Sequence, residues 1–171
     1  MPNPYEDYGI LDFLKDAKAR DALSKMRGQL GFGGDYADHN NFYMGMEDRI
    51  KSDYPDIYKE VGARESGNQM DAMLNFIGSY DWAARKNDPQ GAVEASRMYQ
   101  YLDSSSDPTD AAGDFYENKV GAEFYDPKVG RLPDDELIKA AYEFSRGRDE
   151  RQNYDDFDAP VSSDILRWFL K

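Results

Sequence analysis

Residues 66–86, 89–102 and 108–124 read SGNQMDAMLNFIGSYDWAARK, PQGAVEASRMYQYL and PTDAAGDFYENKVGAEF, and their spacing decides the fold. In the first stretch Met70, Met73, Leu74 and Ile77 recur at three and four residues. In the third, Ala112, Phe115, Tyr116, Val120 and Phe124 do the same. That period puts apolar side chains on one side of a helix and predicts burial of that side. Each stretch also opens on a helix-start signal: Ser66 or Asn68 as a cap, then Asp88 before Pro89, then Asp107 before Pro108. A short acceptor side chain followed by proline satisfies the first-turn geometry of a helix.

Working outward, DELIKAAYEFSR (135–146) carries Leu137, Ile138, Ala141 and Phe144 as another buried stripe. FYMGMEDRIKS (42–52) and PDIYKEV (55–61) read as short helices. Residues 9–30 place Leu11, Leu14, Ala22, Met26 and Leu30 on one side of a long amphipathic helix. Between them GFGGDYADHNN (31–41) has three glycines and small polar residues, which predicts a mobile connection. Residues 147–160 are too polar to bury and read as a second one. The chain ends on SSDILRWFLK, a cap followed by Ile165, Leu166, Trp168, Phe169 and Leu170, which predicts a docking helix over 162–171. No strand-like alternation and no internal repeat interrupts this pattern. The expectation is an all-α, single compact domain of six to eight helices with Gly-rich and acidic loops.

The totals agree with one domain, because 171 residues suffice for one core but not for two of full size. Mean hydropathy is low at -0.87, so the 13 Tyr and 9 Phe must supply much of the buried area. Cysteine is absent, which removes disulfides and thiolate chemistry. No apolar run spans a bilayer, and MPNPYEDYG lacks the basic and apolar parts of a signal peptide, so a soluble, unprocessed protein is expected. A net charge of -13 argues against direct contact with nucleic acid or an anionic membrane.

Chemistry has few candidates. Asp107, Asp110, Asp114 and Glu117 are spaced three, four and three apart, which lines four carboxylates along one side of a helix, opposite Phe115 and Val120. Such a ridge serves as a solvated face, an acid/base or divalent-ion site, or a contact for a basic partner. Asp71, Asn75, Gly78 and Trp82 share another helix face. Asp114, Glu117 and Asp71 are therefore the residues an enzyme would use, as a carboxylate pair in glycoside cleavage. Asp35, Asp38 and the single histidine, His39, are the candidates for metal ligands, although no second histidine accompanies them. DSSSDPTD has alternate acids but Pro108 where a calcium loop needs glycine, so no EF-hand is expected. With His39 in the glycine-rich connection, a Ser/His/Asp set is excluded on this reading.

Two motifs carry a resemblance. Asp71-Ala72-Met73-Leu74-Asn75-Phe76 and Asp114-Phe115-Tyr116-Glu117-Asn118-Lys119-Val120-Gly121-Ala122, followed by DDELIKAAYEF, are similar to an uncharacterised family of helical domains in bacterial and phage proteins. That family has Asp-Ala-x-Arg-His-Ala and then Asp-x-x-Asn-Asn-x-x-Gly-Arg. The chain has Leu74-Asn75 in place of Arg-His and Ala122 in place of the final Arg. The likeness runs over about residues 68 to 147 and implies a helical fold and a phage-like setting.

The expected function is a non-enzymatic acidic interaction or assembly protein, a phage structural or virion-associated component. Asp107, Asp110, Asp114, Glu117, Trp168, Phe169 and Leu170 are its expected contacts. It would need no cofactor and would work with protein partners, as a homo-oligomer or with virion proteins, in an infected cell's cytoplasm or in the virion. A cell-wall or polysaccharide hydrolase and a DNA mimic that inhibits a host enzyme are the alternatives.

Overall fold

A computed structural model describes residues 35–65, 68–103 and 108–147, with the side chains of 35–36, 98–103 and 108–112 excepted. The helices expected over 9–30 and 162–171, and the connection over 148–160, lie outside the described residues. Six helices follow in order: α1 (Asp35–Asp53), α2 (Pro55–Val61), α3 (Gln69–Lys86), α4 (Pro89–Asp103), α5 (Pro108–Phe124) and α6 (Asp134–Gly147). They pack into one compact all-helical domain, with no strand among the described residues.

The helix starts follow the local chemistry. Asn68 caps α3, its side chain accepting from the Asp71 amide at 2.9 Å. Asp88 accepts from Gly91 N at 2.8 Å ahead of Pro89, and α2 and α5 also begin on proline. Asn87 ends α3 in the left-handed region at φ 51°, where Asn is better tolerated than most residues.

One boundary departs from the sequence reading. Residues 35–41 are the first turns of α1, not a mobile connection. Local composition is poor for a helix there, but His39 and Phe42 are tied to groups from α3 and from the turn after α5. Tertiary contacts outweigh propensities that amount to a few tenths of a kcal/mol per residue.

The organising element is α3, buried on every side from Met70 to Asp81 and touched by α1, α2, α4, α5 and α6. A helix enclosed all round is the centre of a bundle, not a surface helix with one apolar stripe. Phe76 meets Phe124 of α5 and Phe144 of α6 at ring centroid distances of 5.3 and 5.2 Å. Leu137, Ile138 and Ala141 seat α6 in the core. Aromatic contacts of this kind add to simple area burial.

Tyr80 anchors the turn between α5 and α6. Its hydroxyl accepts from Leu132 N at 2.6 Å and reaches Gly130 O at 3.5 Å. Tyr80→Phe should cost about 1–2 kcal/mol in urea denaturation, because a part-buried Leu132 amide loses its acceptor. An unchanged midpoint would mean that water replaces the hydroxyl. Among the described residues no helix is long and apolar enough to cross a membrane.

Candidate functional site

Two polar clusters are built against α3, and both use residues whose burial needs an explanation. Carboxylates and amides seldom sit in a core without partners, since desolvation costs several kcal/mol.

The first cluster is a seam between α3 and α5. Asp71, Asn75 and Ser79 recur every four residues on α3, and Asn75 and Ser79 face Asp114, Glu117 and Asn118 of α5. Asn75 Nδ2 donates to Asp114 Oδ1 at 3.0 Å and to Glu117 Oε2 at 2.8 Å. Only the nitrogen of the amide has protons to give, so two carboxylate acceptors at one atom fix which way the amide points. Ser79 Oγ donates to Asn118 Oδ1 at 2.7 Å. At the outer end, Arg64 Nε donates to Asp71 Oδ1 at 2.7 Å.

At Glu117 and Asp114 these positions depart from the solvated face that is one reading of the ridge. Glu117 is fully buried and Asp114 half-buried, so this part of α5 faces α3. The reason is complementarity: the polar row on α5 finds a polar row on α3. Asp71 is likewise buried and ion-paired, not a surface carboxylate. Asp107 and the side chain of Asp110 lie outside the described residues, as do Trp168, Phe169 and Leu170. The two stretches quoted for the family resemblance are the two that meet along this seam.

Asn75→Ala should cost about 2 kcal/mol in chemical denaturation, the loss expected when a donor to buried carboxylates is removed. Asn75→Asp should cost more, because it brings a third carboxylate against the other two. Equal stability of Asn75→Asp and the unaltered chain would contradict this seam.

The second cluster gathers on Asp81, whose side chain is 0% exposed. His39 Nδ1 lies 2.8 Å from Asp81 Oδ2, and Arg85 Nε donates to the same oxygen at 2.6 Å. Arg131 Nη1 donates to Oδ1, and its Nη2 reaches Asp134 Oδ1 at 3.2 Å. The Arg131 guanidinium also covers the Phe42 ring at 4.7 Å. Burial alone pushes the Asp81 carboxyl up, but the hydrogen bonds from His39, Arg85 and Arg131 together hold it below the usual carboxylate range. From Asp134 the network continues to Arg49, which also reaches Asp135 and Asp53.

Comparison with protein-family models, curated proteins and solved structures gave no match.

His39 is placed by α1 against a carboxylate of α3, and not in the glycine-rich connection on which the exclusion of a Ser/His/Asp set rested. The Asp81 carboxylate accepts from two guanidiniums as well, so it serves as the meeting point of three elements. Among the described residues no three His, Cys, Asp or Glu side chains converge on a point that could hold a metal ion. Of the metal candidates, His39 turns to Asp81 and Asp38 is exposed, while the Asp35 side chain is outside the described residues. Asp81 itself escaped the sequence reading. Its one local signal was Arg85 at the i,i+4 position, a common surface pair.

Proposed function

We propose that the chain is a non-enzymatic interaction and assembly protein. One observation carries this reading: the carboxylates that the sequence offers for chemistry, Asp71, Asp114 and Glu117, are engaged in joining parts of the fold to one another. A general acid has to reach the glycosidic oxygen, and a nucleophile the sugar carbon. Glu117 is fully buried, which works against that use.

The charged surface bears on the DNA-mimic alternative. Asp53, Asp134 and Asp135 surround Arg49, and Glu60 and Glu143 flank Arg146. Phosphate mimicry needs acids in rows unbroken by bases, so this mixing supports a protein partner over a nucleic-acid enzyme's cleft. The phage setting rests on the resemblance of 68–147 alone. The C-terminal WFL segment is the natural contact on sequence grounds, as an apolar run behind a polar tether.

Light scattering behind a sizing column, on the full chain and on the chain lacking 162–171, tests the reading. A defined oligomer that dissociates on truncation is the expected result. Cleavage of a polysaccharide by the full chain, abolished in Asp114→Asn/Glu117→Gln while the helical content is retained, would overturn it.

A further inference from the structure

We draw no further inference here: the strongest candidate, the exposed apolar surface of Phe124 at the end of α5 and of Val129 in the turn that follows, carries nothing because nothing in the structure shows what covers either side chain.

Discussion

Gly121→Ala should destabilise the protein by about 2 kcal/mol or more, although it replaces the second-poorest helix former with the best. Gly121 sits where α5 crosses α3. A Cβ there would lie 2.7 Å from both the Cα and the carbonyl carbon of Phe76. Those are backbone atoms of the central helix, which cannot rotate aside, so the helices must part. Overpacking a core in this way costs about 1–3 kcal/mol, and occasionally more. Because the seam is joined on the same side by Asn75, Asp114 and Glu117, any separation also lengthens those hydrogen bonds. The upper part of that range therefore applies, and it exceeds the gain of about 1 kcal/mol from helix propensity.

Two other glycines calibrate the expectation. A Cβ at Gly78 would come within 2.9 Å of the Tyr43 ring, a side chain that can shift, so Gly78→Ala should cost less than Gly121→Ala. At Gly45 nothing lies within 4 Å, and Gly45→Ala in the middle of α1 should gain about 0.5–1 kcal/mol. Urea denaturation of the three variants should rank them in this order. If Gly121→Ala proves as stable as Gly45→Ala, the close approach of α5 to Phe76 is wrong.

Much of the fold was legible because the signals were local. Pro55, Pro89 and Pro108 mark helix starts by removing an amide that a first turn does not need, and each stands at the start of its helix. The stripe of Leu137, Ile138 and Ala141 states the buried side of α6 directly. What could not be read is the pairing of polar residues far apart in the chain. Glu117 looks like a surface residue because its partner, Asn75, stands 42 residues away. A polar side chain on a helix belongs to the wet face unless another element brings complementary groups, and one sequence does not say which elements meet. The start of α1 failed for the same reason. Glycine, aspartate and asparagine favour a turn locally, while His39 and Phe42 are held by Asp81 and Arg131, 42 and 89 residues on.

Asp81→Asn should be the other large effect, a loss of about 3 kcal/mol at neutral pH. The substitution keeps the shape but not the pattern of acceptors. Three donors converge on the two carboxylate oxygens: His39 and Arg85 on Oδ2, Arg131 on Oδ1. An amide keeps one oxygen and turns an NH2 group toward a donor on the other side. Removing one partner of a buried ion pair costs about 3–5 kcal/mol. Here the side chains of Arg85 and Arg131 are 23% and 35% exposed, so water recovers part of their solvation and the lower end applies. The pH dependence has a definite sign. The folded carboxyl is depressed, so its contribution is fully present above the unfolded value of about 3.9 and is lost as pH falls through the folded value. The gap between the unaltered chain and Asp81→Asn should therefore narrow as the solution is made more acidic than the ordinary carboxylate range. Because Asp81 holds His39 directly and Phe42 through Arg131, amide hydrogen exchange should also rise selectively in the first half of α1. A uniform rise across α1 and α6 would instead mean that only global stability has fallen. No change in either the denaturation midpoint or α1 exchange would show that Asp81 does not join these elements.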